Sequence, residues 1–318
     1  MTDSSTTPDV IERARAVIAD LGELPLPGRG ATFERWQRLA GVGVEDVSVV
    51  RIVEGHYDAV AILAELGADP LDGGLAGVWA ARPGELVAER TRRGWTLSGE
   101  KPFCSGSVLL DTALVTAVSE DGPRLFRIDA HAPRVVARSW TPLGMAATRS
   151  ETLCFDEMGV PDHDEVGKPG DYVDRPGFGH GGSGVAACWW GGVAGLVPAL
   201  AAAATDGSDD RVRILGSIVL ALEQSAALLH TTADRIDRSP ADRDGAVSWA
   251  ATARSSVAAT ARLVLASAAA VLGTSALAGD AAVGQRMADL TMYLTQYRDD
   301  ELIDGGRRVI ESGELRLC

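Results

Sequence analysis

Between about Leu75 and about Val160 the sequence abandons the helical period that governs both its flanks, and this change restricts the chain to a helix–sheet–helix architecture. Before it, Val10, Ile11, Ala14, Val17, Ile18 and Leu21 recur at helical spacing, and Phe33 to Leu39 and Val44 to Leu66 continue the pattern. The first residues, Met1 to Pro8, are polar and read as frayed. Within the central block, short apolar runs are separated by turn signals: Leu86-Val87-Ala88, Gly94 to Gly99, Ala113 to Val118, Leu125 to Ile128, Val135 to Ala137 and Thr152 to Phe155, with Asp121-Gly122 at one hairpin. A run of strands this dense predicts a compact sandwich or open barrel. After a Pro/Gly/Asp-rich connection over 161–176 come four alanine-rich helical patterns, near Gly184 to Ala204, Asp210 to Ile236, Gly245 to Val271 and Ala281 to Glu311, which predict a four-helix bundle. The expected fold class is therefore α+β: a reduced N-terminal helical domain at 1–73, a middle β domain at 74–160 and a C-terminal helical bundle at 161–318.

Charge narrows the partners. With 44 acidic against 30 basic residues the net charge is −14, and Lys101 and Lys168 are the only lysines, so a nucleic-acid partner is not expected. Such a surface also repels anionic ligands unless an arginine patch overrides it locally. Cys104, Cys154, Cys188 and Cys318 are widely spaced, without a C-x-x-C pair or a preceding secretion signal, and the chain reads as reduced and cytoplasmic. The five histidines are scattered, and His163-Asp164-Glu165 has no second ligand at a useful spacing, so no metal is expected.

The densest chemical signal is Gly94-Trp95-Thr96-Leu97-Ser98-Gly99-Glu100-Lys101-Pro102-Phe103-Cys104-Ser105-Gly106. Trp95, Leu97 and Gly99 alternate with Thr96 and Ser98, as in a half-buried strand, and the run ends in an aromatic-Cys-Ser tip read as a loop. An aromatic ring can flank a flat heterocycle, while a neighbouring backbone N–H and a small hydroxyl can bond its edge. The competing reading is an ordinary hairpin whose Phe103 fills a core.

This run, with Asp111 to Ala117 after it, resembles the middle domain of the acyl-CoA dehydrogenase family, whose pattern there is Gly-x-x-Leu-x-Gly-x-Lys-x-aromatic-x-Ser/Thr; the resemblance makes the chain a short, divergent relative. It implies FAD as cofactor, with Phe103 and Ser105 against the flavin and the hydroxyl near N5, and Cys104 between them. Trp79-Ala80-Ala81-Arg82-Pro83-Gly84 lies where that family has a Thr-Glu-Pro loop on the flavin, which makes Trp79 and Ala81 cofactor-binding candidates, although Ala81-Arg82 replaces Thr-Glu. Arg213, in Arg213-Ile214-Leu215-Gly216, matches a phosphate-binding arginine of the family, and Val271-Leu272-Gly273-Thr274 stands where it has Gln-x-x-Gly-Gly, without the Gln.

Dehydrogenation next to a thioester also needs a carboxylate base. By resemblance, Gln296-Tyr297-Arg298-Asp299 makes Asp299 the catalytic counterpart; read from charge alone, Arg298-Asp299-Asp300-Glu301 is a solvated helix face. An adjacent arginine would also depress an aspartate's pKa.

Two further signals point elsewhere on first inspection. Gly177-Phe178-Gly179-His180-Gly181-Gly182 spells G-x-G-x-x-G, but a loop sequence rather than a buried strand precedes it, so nicotinamide binding is not expected and the glycines read as a flexible loop near cofactor or partner. Ser183 to Ala204 carries no charge over a membrane-length window, yet Pro198 interrupts it and alanine and glycine insert weakly, so a bundle helix is expected rather than a membrane span. Trp189 and Trp190 there either pack the core or line a ligand.

The expectation is an FAD-dependent oxidoreductase acting on an acyl thioester or related small metabolite, assembled as a homodimer or higher oligomer, possibly with a homologous chain. Two alternatives remain open: a flavin-dependent monooxygenase on the same fold, which needs no such base, and a catalytically silent subunit of a mixed oligomer.

Overall fold

The computed structural model describes residues 10–81, 86–205, 207–298 and 300–313. Three helices, α1 (Val10–Leu21), α2 (Thr32–Glu45) and α3 (Val47–Glu65), precede an eight-stranded sheet of β1 (Ala76–Trp79), β2 (Leu86–Thr91), β3 (Gly94–Cys104), β4 (Thr112–Ser119), β5 (Gly122–Asp129), β6 (Arg134–Val135), β7 (Glu151–Val160) and β8 (Glu165–Val166). The short α4 (Asp171–Asp174) leads to α5 (Pro176–Ala194), α6 (Val197–Ala204), α7 (Asp209–Arg238), α8 (Arg243–Gly279), α9 (Ala281–Tyr293) and α10 (Glu301–Ser312). The helix–sheet–helix order expected from the change of period is therefore the observed one. Two compact units divide the chain: Met1–Leu24 with Ser48–Gly177, and Pro25–Val47 with Phe178–Cys318.

In the first unit the strands run in the order β6-β7-β3-β2-β4-β5-β8, with β1 parallel to β4. The β4–β5 hairpin turns at Glu120-Asp121, one residue before the expected Asp-Gly centre, because Ser119 pairs with Gly122. Gly122, at φ 124°, takes a backbone angle that costs a glycine nothing. Ala59, Ile62 and Leu63 of α3 close the core over Ala76, Leu114, Leu125 and Val166, with Tyr172 of α4 packed at its edge. β1 was missed because its small residues show no alternation; its pairing with β4 makes it a strand.

The second unit is held by close helix contacts. A Cβ on Gly191 of α5 would run into the backbone of Ala40 on α2, and one on Gly43 would lie 2.9 Å from the Cys188 carbonyl oxygen, so both positions need glycine. Asp237, near the end of α7, caps α2: its carboxylate accepts from Thr32 Oγ1 at 2.6 Å and from the N–H groups of Thr32 and Gly30 at 3.0 Å each. At the opposite end of α2, Arg286 of α9 donates to the carbonyls of Gly43 (3.0 Å), Glu45 (2.8 Å) and, on α5, Gly192 (3.3 Å).

The glycine-rich run 177–182 is not a flexible loop but the opening turns of α5, which corrects the expectation. Glycine's low helix propensity is overridden because a Cβ on Gly179 would sit 2.6 Å from the Ala246 carbonyl carbon and 2.8 Å from the Val247 nitrogen of α8. The fourth pattern, expected as one helix, is divided between α9, which ends at Tyr293, and α10, which begins at Glu301. α8 is kinked at Gly273, whose φ of 69° and ψ of 173° belong to glycine alone. Pro176–Ala204, α7 and a stretch of α8 are each long and apolar enough by length and composition to cross a membrane. In the first of these 56% of the apolar window is buried inside the protein, the use expected for a bundle helix.

Arg286→Met is expected to destabilise the second unit by about 2 kcal/mol, since it strips several carbonyls of a cationic donor at once. Urea unfolding followed by tryptophan fluorescence checks this, with Arg286→Lys retaining part of the loss. A second expectation concerns α3. Glu54 is buried against Arg51, at 2.5 Å, and hydrogen-bonded to Asp58, and desolvation by burial pushes its carboxyl up to about 8. The folded protein therefore holds a proton that the unfolded chain releases near the ordinary value of 4.5, so stability falls as pH rises from about 4.5 to about 8. Unfolding midpoints across that window should decline, and Glu54→Gln should flatten the decline.

Candidate functional site

β3 is long and interrupted. Lys101 pairs with Leu153 and Cys104 with Glu151, so Pro102 and Phe103 face Thr152 alone, forming a β-bulge. The strand runs through Cys104 rather than ending in a loop before Phe103. At the bulge Phe103 adopts φ 60°, the left-handed region that a bulky residue occupies only at a cost of about 1–3 kcal/mol. The residue is 47% exposed, so it does not fill a core and the hairpin-with-core-Phe reading fails. Met145 (φ 59°) and Arg149 (φ 45°), in the segment stapled to this bulge, are also left-handed non-glycine residues. Strain of this kind persists only where surrounding contacts over-determine it, and it concentrates at functional sites.

The contacts that over-determine it follow directly. Gly106 N donates to Thr148 O at 2.7 Å, Ser107 N to Arg149 O at 3.3 Å, and Ser107 Oγ to the same carbonyl at 2.9 Å. Trp79 Nε1 donates to Ser105 O at 3.0 Å. Lys101, fully buried, donates through Nζ to Thr116 O and Thr116 Oγ1, both at 2.8 Å, and anchors β3 just before the bulge. Ser105 is half-buried, and its Oγ accepts from Ser150 Oγ at 2.9 Å.

The residues expected at the site therefore play different parts. Phe103 and Ser105 stand together at the tip, with an exposed ring beside a hydroxyl. Trp79 is 1% exposed, so its indole supports the Ser105 carbonyl from beneath rather than presenting a face to a ligand. Cys104 points into the core: its thiol donates to Lys101 O at 3.2 Å, and burial pushes it up to about 12, so it presents no thiol to a ligand. Ala81 is exposed at the end of β1, and 82–85, the rest of the expected loop, lie outside the described residues.

In the second unit Arg213 is exposed on α7 and pairs with Asp210 at 3.3 Å. Asp299 lies outside the described residues; its neighbours Arg298 and Asp300 form an exposed ion pair at 2.8 Å. Trp189 is fully buried edge-on against Tyr293, with the Arg254 guanidinium 4.8 Å from its ring centre, and half-buried Trp190 donates to Leu222 O at 3.0 Å; both are packing residues. Among the described residues no group of three or more His, Cys, Asp or Glu side chains could hold a metal ion. Sequence reading missed Met145, Thr148, Arg149 and Ser150, which carry no period or motif of their own and reach Ser105 only through the fold.

No family model matches the chain, and no curated protein matches it by sequence. Solved structures do. TdsC from Paenibacillus sp. A11-2, in complex with FMN and indole, aligns with a TM-score of 0.78 at 16% identity over 96% of this chain and 94% of its own. Butyryl-CoA dehydrogenase from Megasphaera elsdenii aligns with a TM-score of 0.76 at 13% identity, over 97% of this chain and 100% of its own. The chain has the acyl-CoA dehydrogenase fold. XiaF from Streptomyces sp., in complex with FADH2 and glycerol, is similar too, with a TM-score of 0.72 at 17% identity over 98% and 90%.

The bulge makes a reversal of the usual order measurable. In a strand interior alanine is favoured over glycine by roughly 0.5–1 kcal/mol. At position 103 the left-handed backbone inverts this, and Phe103→Gly is expected to be more stable than Phe103→Ala by about 1 kcal/mol. Paired urea denaturation curves of the two variants check it.

Proposed function

We propose that this protein is a flavin-dependent oxidoreductase acting on a small organic substrate, and that the Phe103–Ser105 tip is the wall against which the flavin ring lies. The observation that carries the proposal is the strained, exposed Phe103 beside a Ser105 hydroxyl already engaged from within by Ser150. An aromatic side chain held out of the core at an energetic cost suits a flat heterocycle, and the hydroxyl beside it can bond the ring edge. A flavin bound there supplies hydride acceptance or, when reduced, reaction with oxygen. The residues themselves flank the ring, hold its edge, and through Trp79 keep the Ser105 backbone in place.

FAD is the flavin we assign first, with exposed Arg213 of a second copy of the chain as the group that meets its phosphates. The substrate we assign is an acyl thioester or a related small metabolite undergoing α,β-dehydrogenation, with Asp299 as its base. TdsC, crystallised with FMN and indole, gives equal support to the oxygen-using reading, in which no carboxylate base is needed. Cys104, Cys154 and Cys188 are not joined in disulfides, in keeping with the reducing cytoplasm that we assign as the compartment.

Purified protein titrated with FAD and with FMN is expected to develop a perturbed flavin absorption band, which Phe103→Ala or Ser105→Ala shifts or weakens. Bleaching by acyl-CoA thioesters under argon supports dehydrogenation. A bound flavin that no thioester bleaches supports the oxygen-using reading, and a protein that takes up neither flavin overturns the proposal in favour of a silent subunit.

A further inference from the structure

We propose that Arg149, with Arg138 beside it, is the oxyanion-binding element of the site, and that the substrate therefore carries a carboxylate or a phosphate. The inference deepens the flavin-site reading above and rests on it for identifying the bound molecule as the substrate. In a chain of net charge −14, an anionic ligand needs cations that the protein has not already neutralised from within.

Arg149 is anchored inward and open outward. Its Nε donates to Glu151 Oε1 at 2.8 Å, and Ser139 Oγ donates to Glu151 Oε2 at 3.2 Å, so both oxygens of that carboxylate are engaged. The Glu151 side chain is 7% exposed, whereas that of Arg149 is 49% exposed. Among the described residues neither Nη group of Arg149 has a partner, so the rest of the guanidinium fork faces away from Glu151 without one. The backbone is fixed too: Arg149 O accepts from Ser107 N at 3.3 Å and from Ser107 Oγ at 2.9 Å. The next residue, Ser150, donates to Ser105 Oγ, and Glu151 pairs with Cys104 beside the Phe103 bulge, so Arg149 belongs to the segment stapled to the tip.

Arg138 precedes Ser139 in the chain, so both arginines arise beside the same buried carboxylate. It is exposed and, among the described residues, without a partner. One carboxylate against two guanidiniums leaves the group net positive. Arg138, at φ 58°, and Arg149, at φ 45°, are left-handed, and with Phe103 and Met145 they make four of the five such non-glycine residues described. Strain is thus concentrated round this tip, as where side chains are held for a ligand.

A planar fork with free Nη groups suits the paired oxygens of a carboxylate or phosphate, and a neutral heterocycle makes no use of it. A lysine ammonium is a point charge, and one bonded to Glu151 has no second face to present. Only arginine serves the buried carboxylate and an outside anion at once. Arg213 is already assigned to the flavin's phosphates, which leaves this pair for the substrate.

The test is calorimetric titration of the flavin-loaded protein with inorganic pyrophosphate, with benzoate and with its neutral counterpart benzamide. The parent is expected to bind one of the two anions and to bind benzamide more weakly; the anion that binds tells a phosphate-bearing substrate from a carboxylate. Arg149→Lys keeps the charge and the Glu151 contact, yet should weaken that anion about tenfold, the loss of a charge-assisted hydrogen bond. Arg138→Gln should weaken it about threefold, as for an exposed charge, and carries the test alone if Arg149→Lys does not fold. Neither variant should move the affinity for flavin. A parent that binds neither anion, or unchanged affinity in both variants, overturns the oxyanion site and leaves the flavin wall standing. Weakened binding of FMN but not of riboflavin in Arg149→Lys gives the arginine to the flavin's own phosphate and overturns the assignment to substrate. A parent that takes up no flavin, but whose anion affinity falls in Arg149→Lys, keeps the oxyanion site and overturns the flavin wall alone.

Discussion

The buried ammonium of Lys101 fixes the geometry on which the candidate site depends. A charge taken fully out of water is tolerated only when its protons are engaged, and Thr116 supplies two acceptors at 2.8 Å each. Thr116 stands on β4, which β3 does not pair with directly, so the side chain ties together strands that backbone bonds leave apart. With β3 unable to slip at Lys101, and β7 paired at both Lys101 and Cys104, the two intervening residues must share a space that opposes one. Phe103 is forced out of the sheet by this arithmetic, and Ser105 is delivered to the hydroxyl of Ser150.

A different device holds the second unit. There the cohesive contacts are close approaches of helix backbones at glycine, supplemented by charged groups at helix ends: Asp237 on the N–H groups at the start of α2, and Arg286 on the carbonyls at its end. Both satisfy groups at the ends of the helix that have no partner within it. Burial lowers the pKa of Arg286, and the nearby carboxylates of Asp46, Glu45 and Asp289 oppose that shift in part. The first unit thus gains rigidity from sheet register and a buried cation, the second from small residues and capped helix ends.

Periodicity made most of the fold readable. Alternation marked β3, short apolar runs between turn signals marked β4, β5 and β7, and apolar spacing marked α1, α3, α7 and α8, because each signal lies within its own element. What resisted reading was whatever depended on a neighbour. Gly177 to Gly182 carries the local signature of a loop, but a Cβ at Gly179 would collide with α8, so the glycines serve packing in a helix. β1 lacks alternation and becomes a strand only through β4.

The sequence by itself determined the order of helical and β layers and placed an aromatic and a hydroxyl two residues apart at the end of the longest strand. It determined these because each follows from local spacing. Only the tertiary structure decided that Phe103 is left-handed and exposed, that Cys104 turns inward, that Trp79 bolts the Ser105 carbonyl, and that Thr148 and Ser150 queue behind a hydroxyl 45 residues away in the chain from Ser150. Those outcomes depend on strand register and on a single extra residue in one strand. Register is set by long-range pairing and a buried charge, which no local pattern of residues encodes.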